Sequence, residues 1–155
     1  MNPDSAFLQS RKTEFEVHLR KWAGLFQAGT PPLLYEAFAY SLLAPGKRLR
    51  PLLVLAAAHA VGRSSSAIWD VACAIEMVHT YSLVQDDLPC MDNDDLRRGQ
   101  PSTHKKFGEA VALLASDALF SSAIQCVLEA DFSPEDKVET LREIMGAVGI
   151  RGMLA

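Results

Sequence analysis

Apolar residues recur along the chain at the three- and four-residue spacing of helices, and the alternation that marks strands is nearly absent. A first helix is predicted to begin at Asp4 or Ser5 and to run to about residue 27. Gly29-Thr30-Pro31 then stops and restarts the chain, with Thr30 as N-cap and Pro31 at the first helical position. The second helix ends at Ala44-Pro45-Gly46. A third is predicted over 51–62, a fourth over 67–87 and a fifth over 107–130. A sixth starts at Ser133-Pro134, where Glu135 and Asp136 suit the positive helix end, and runs to about residue 148. Residues 62–66 and 93–103 read as loops. The predicted fold class is all-α, an antiparallel helix bundle forming one domain over 1–155.

The fourth predicted helix is apolar around most of its circumference, so it belongs at the centre. The fifth is similar, with Val111, Leu113, Leu114, Ala115, Leu119 and Ile124. Two such helices need partners on several sides. Four other helices, one of them mostly polar, are too few, and the bundle is expected to be incomplete by itself.

Composition narrows the class. The chain has 155 residues, 49% hydrophobic and 22% charged, which suits one domain with a real core. A net charge of −4 gives no electrostatic reason to expect nucleic acid. Cys73, Cys90 and Cys126 are widely spaced and form no CxxC, which predicts reduced thiols and a cytoplasmic location. Asp4, Glu14 and Glu16 argue against a signal or transit peptide, and the longest apolar run, 51–61, is too short to span a bilayer.

The chemistry concentrates in residues 85–99. Asp86, Asp87, Asp92, Asp94 and Asp95 fall close together, and Arg97 and Arg98 follow at once. Carboxylates this dense repel one another unless cations neutralise them, which suits Mg²⁺ completed by water or substrate phosphate oxygens. Arginine forks grip phosphate. A solvated acidic loop is the plainer alternative, but the run ends the nearly all-apolar segment 71–84 and so caps something buried. An EF-hand fails: with Asp92 as loop position one, Arg97 falls on the glycine position and Thr103 on the glutamate position. Asp86 and Asp92 lie roughly 240° apart on a straight helix. Pro89 should make the helix bulge or end, and the turn can then return Asp92 to Asp86.

Gly46-Lys47-Arg48-Leu49-Arg50-Pro51 puts three cations in four residues before a helix, the pattern of a second diphosphate site without metal. A Walker loop is excluded, since its upstream glycine and its Ser/Thr are missing. His79 and Ser82 share a helical face with Asp86, so His79 is either a satisfied core histidine or a substrate contact. Tyr81 lies about 7.5 Å below Asp86 along the helix, as the floor of an apolar cavity or as a plain core aromatic. Thr103, His104, Phe107 and Asp117 either support the loop or simply pack.

Three segments, 46–51, 86–99 and 99–110, resemble in order and spacing the bacterial farnesyl diphosphate synthases, trans-prenyltransferases of isoprenoid biosynthesis. The resemblance covers the chain from about residue 31 onward. It implies an all-α isoprenoid synthase bundle, usually homodimeric, that joins dimethylallyl or geranyl diphosphate to isopentenyl diphosphate. It implies that Asp86 and Asp92 hold Mg²⁺, with Asp87 beside them as part of the catalytic motif. It assigns Arg97 to the allylic diphosphate and Lys47, Arg50, His79 and Arg98 to isopentenyl diphosphate. The Pro89-Cys90 insertion and Tyr81 are similar to the type whose product stops at fifteen carbons.

The sequence departs from the family pattern at Gln85, where His is common, at Ser116, where Gly is common, and at Asn93, where an acid is common. The family's second aspartate-rich motif and its leaving-group lysine have no counterpart. The chain therefore looks like the N-terminal half of such an enzyme, expected to be inactive alone. The alternatives are a class I terpene cyclase, which binds a single diphosphate, and a non-catalytic helical partner or regulatory subunit.

Overall fold

The computed structural model describes the backbone of residues 3–154 and the side chains of residues 9–154. Seven helices follow in order: α1 Pro3–Leu25, α2 Pro32–Leu42, α3 Leu49–Ala60, α4 Ser66–Asp86, α5 Thr103–Phe107, α6 Glu109–Glu129 and α7 Pro134–Val148. A two-residue hairpin, β1 Leu96–Arg97 with β2 Gln100–Pro101, is the one strand pairing among the described residues.

Local chemistry explains the boundaries, including those that differ from expectation. Thr30 does not cap α2; its hydroxyl donates to the Phe26 carbonyl at 2.6 Å and closes the preceding turn, so Pro31 becomes the N-cap. Helix α3 starts at Leu49, two residues before Pro51, because the first amides of a helix lack intrahelical partners and proline lacks none it needs there. Ser65 and Ser133 cap α4 and α7 through their side chains. The hairpin falls in the expected loop, while α5 fills the stretch between that loop and the expected fifth helix, whose start Gly108 moves to Glu109. Arg98 and Gly99 both have positive φ, the geometry of a two-residue primed turn, but an Arg-Gly pair does not advertise it as Asn-Gly would.

Helix α4 is central, packing on α1, α2, α3 and α6. Small residues are buried on both helices, Ala72 and Ala74 on α4 and Ala112, Ala115, Ser116 and Ala123 on α6, and these two helices make the most extensive contact of the bundle. Phe15, Leu19 and Trp22 of α1 and Phe38 and Leu42 of α2 complete the core. Helix α6 is long and apolar enough to cross a membrane by length and composition, and here one face of it packs on α4. Leu113, Leu114 and Leu128 of α6 and Leu49, Leu53 and Val61 at α3 are exposed, as the surplus of apolar surface foretold.

One charged cluster lies inside. Arg48 is 2% exposed and has φ 54°, in the left-handed region. Its guanidinium donates to Glu16 at 2.8 Å, to Glu76 at 2.6 Å and to the carbonyls of Leu42 and Ala44 at 3.3 and 2.9 Å. Removing one partner of a buried pair strands the other charge. Glu76→Ala is therefore expected to lower the unfolding free energy by about 3–5 kcal/mol, whereas Arg142→Ala, which breaks an exposed pair with Glu139, should leave it nearly unchanged. Urea unfolding of both variants, followed by circular dichroism, checks this; equal losses would refute it.

Candidate functional site

The C-terminal end of α4 gathers two sites of opposite charge. Asp86 is the last residue of α4 and Asp87 its C-cap. Pro89 ends the helix, and the chain turns back: Met91 N and Asn93 N donate to the Leu88 carbonyl, and Asp92 N donates to the Asp86 carbonyl at 2.8 Å. The expected return of Asp92 to Asp86 is thus built by a backbone hydrogen bond. Asp86 is half-buried and Asp92 exposed. Among the described residues, neither carboxylate accepts a side-chain hydrogen bond or an ion pair.

Asp87 is placed differently from its neighbour. It is 2% exposed, and its carboxylate accepts from Arg97 Nε at 2.9 and 3.2 Å and from Arg97 Nη2. Arg97 also reaches Asp94 at 3.1 Å. The hydrogen bond to Asp87 raises the guanidinium's pKa, with Asp94 and Asp86 adding to it against burial. Asp87 and Asp94 therefore hold Arg97 beside Asp86. Asp95 is paired with Lys105 at 2.7 Å and is not part of this group.

Among the described residues no three His, Cys, Asp or Glu side chains are grouped as a metal cage. Two uncommitted carboxylates on one turn nonetheless fit Mg²⁺, which binds through one or two carboxylates and keeps waters or phosphate oxygens for the rest.

The second site is a cavity of about 210 Å³ lined by Lys47, Arg48, Leu49, Arg50, Glu76, His79 and Arg98. It unites all four residues assigned to isopentenyl diphosphate. Arg50 Nη1 and His79 Nε2 are 3.3 Å apart. Arg98 donates to the Ala44 carbonyl at 3.3 Å and stands 3.7 Å from Glu76. Gly46 leaves room for it: a Cβ there would lie 3.1 Å from Arg98 Nη1. Burial pushes the His79 imidazole down to about 4, helped by Arg50, Arg98, Arg48 and Arg97, so it is neutral at pH 7. Burial also lowers the Arg98 pKa.

Other expected residues fall outside the two sites. Tyr81 faces α6 and packs on Phe120, with ring centroids 5.1 Å apart. Ser82 donates to the His79 carbonyl, so its hydroxyl is engaged within its own helix. Asp117 is exposed, and Thr103 shares a hydrogen bond with Ser41 at 2.8 Å. His104 meets Ser102 through Nδ1 at 3.1 Å, while its buried Nε2 has no partner. Sequence reasoning missed Glu76 and the structural role of Arg48. A lone acid inside an apolar helix next to a cation cluster was the signal that could have found them.

The fold and the paired anion sites define a class, and comparison with known proteins gives it a family. Residues 31–150 match the polyprenyl synthetase family, and the chain belongs to it. The chain is 46% identical over 152 residues to the farnesyl diphosphate synthase of Geobacillus stearothermophilus, covering 96% of this chain and 50% of that one. It is 50% identical over 127 residues to the heterodimeric geranylgeranyl pyrophosphate synthase large subunit 2 of Arabidopsis thaliana, covering 82% and 34%. The crystal structure of a geranyltransferase from Legionella pneumophila superposes with a TM-score of 0.91 at 35% identity, covering 97% of this chain and 53% of that one. The all-α bundle is thus of the isoprenoid synthase type, and the chain spans about half the length, or less, of these relatives.

The neutral His79 makes a pH prediction. Between about 6.5 and about 4 the unfolded chain binds a proton that the folded chain refuses. The stabilisation is full above 6.5 and is lost as pH falls toward 4. His79→Gln should flatten stability over that window, and inorganic pyrophosphate should raise the His79 midpoint in an NMR titration. A ligand-free midpoint near 6.5 would contradict the placement.

Proposed function

We propose that this chain carries the diphosphate-binding machinery of a trans-prenyltransferase that condenses an allylic diphosphate, dimethylallyl or geranyl, with isopentenyl diphosphate to give farnesyl diphosphate. One observation carries the reading: two anion-binding sites of unlike design meet at one end of α4, joined by the adjacent Arg97 and Arg98 of the hairpin. A terpene cyclase has one diphosphate to bind, and the cavity with Lys47 and Arg50 would have no use in it.

The residues divide the work. Asp86 and Asp92 would hold Mg²⁺, whose Lewis acidity, when bound, stabilises the departing allylic diphosphate. Arg97, held by Asp87 and Asp94, donates hydrogen bonds to that same diphosphate. Lys47, Arg50 and Arg98 receive the isopentenyl diphosphate, and neutral His79 donates or accepts one hydrogen bond without adding charge. The carbon–oxygen bond of the allylic substrate breaks, the double bond of isopentenyl diphosphate attacks the allylic cation, and a proton is lost. Water must be kept out, or it quenches the cation. No side chain acts as a nucleophile.

The relatives include makers of both farnesyl and geranylgeranyl products. The large ring of Tyr81, about 7.5 Å below Asp86, supports the shorter product. Exposed Leu113, Leu114 and Leu128 on α6 support self-association, with a homodimer as the simplest form.

Calorimetry with an unreactive allylic diphosphate analogue tests the acidic site. Affinity should depend on Mg²⁺ and should fall at least about tenfold in Asp86→Ala, more than in Asp94→Ala, consistent with loss of a charge-assisted contact. Equal affinity with and without Mg²⁺ would sink the assignment. Light scattering behind size exclusion tests association: a dimer is expected, weakened by Leu114→Glu, and a monomer at all concentrations would refute it.

A further inference from the structure

Helices α4 and α6 run antiparallel with three side-chain contacts along their length. Gln85 donates to Ser116 at 3.5 Å, Tyr81 meets Phe120 ring to ring, and Cys126 meets Met77 at 3.7 Å. Each step on α4 lies one turn further from Asp86. Met77 and Cys126 are fully buried, so the lowest step is plain core. Tyr81 and Phe120 are only half-buried, so the middle step forms the rim of the interface, where α4 and α6 border open space. The Tyr81 hydroxyl has no hydrogen-bond partner among the described residues, and Phe120 touches no other aromatic ring there. The two rings are inclined by 41° with centroids 5.1 Å apart, so each limits where the other can turn.

A ring that stops a growing apolar chain must itself be held. An unsupported tyrosine on a helix can change rotamer and yield. Within the prenyltransferase reading above, we propose that Phe120 is a second specificity-determining residue: by backing Tyr81 from α6 it fixes the depth of the apolar space below Asp86, and so the length of prenyl chain the site will make. Phe120 acts through Tyr81 and is a positioning residue. Its removal opens space behind the tyrosine, which then retreats.

The test measures the length of the condensation products made by the protein, by chromatography of the dephosphorylated alcohols. Phe120→Ala should raise the ratio of products longer than fifteen carbons about tenfold, the scale at which pockets discriminate by a methylene or two. Phe120→Leu should give an intermediate shift, and Phe120→Tyr should restore the original products. If Phe120→Ala fails to fold by circular dichroism, the leucine variant decides. A lengthened product in Tyr81→Ala with none in the Phe120 variants would overturn the proposal while leaving the functional reading intact. Unchanged products in both sets of variants would overturn the role of the ring pair altogether. No condensation by the unsubstituted protein would overturn the functional reading, and the proposal with it.

Discussion

The buried guanidinium of Arg48 is the interaction on which the arrangement depends. It joins four parts of the chain: Glu16 of α1, the end of α2 through the Leu42 and Ala44 carbonyls, the start of α3 that it caps, and Glu76 of α4. Desolvating an arginine is unfavourable by several kcal/mol, and only such complete pairing offsets it. The left-handed backbone at Arg48 turns its side chain inward while Lys47 and Arg50 stay exposed on either side. A run of three cations thus divides into one that builds the fold and two that stay exposed at the cavity.

Glu76 then does a second thing. It stands in the wall of the cationic cavity, 3.7 Å from Arg98 as well as bonded to Arg48. Without it, a cavity facing Lys47, Arg50 and Arg98 would be one of unrelieved repulsion. With it, the cavity keeps an excess of positive charge while Arg98 has a fixed position. His79, held neutral there, adds a polar contact without adding to the repulsion.

Much of this was legible in the sequence because it follows from local chemistry. Six helices could be placed from apolar spacing, and Pro89 alone implied that Asp92 returns to Asp86, which the backbone bond between them now shows. What was not legible depends on tertiary pairing. Asp87 reads as one more acid of the run, beside Asp86 and Asp92, yet it is buried against Arg97, ten residues away across a turn. Arg48 reads as an anion ligand like its neighbours, because the sign of its φ cannot be seen in a residue type that rarely adopts it. The hairpin escaped notice for the same reason at Arg98. Tyr81 was placed by rise along its own helix, and only the packing of α6 reveals the ring behind it.

The acidic end of α4 shows why a site for a cation belongs there. A helix C-terminus is already negative, and carboxylates placed on it are destabilising by the same interaction that favours lysine or arginine in that position. Asp86 and Asp87 both stand at that end, and the last turn of α4 holds no basic residue. Arg97 relieves one of them. The fold then brings Asp92 to Asp86 and leaves both carboxylates without a partner among the described residues. Two like charges left unpaired on one turn are a place where a divalent ion from solution would be accommodated. By the same argument, an internal cation placed beside Asp86 and Asp92 would leave no room there for an ion from solution.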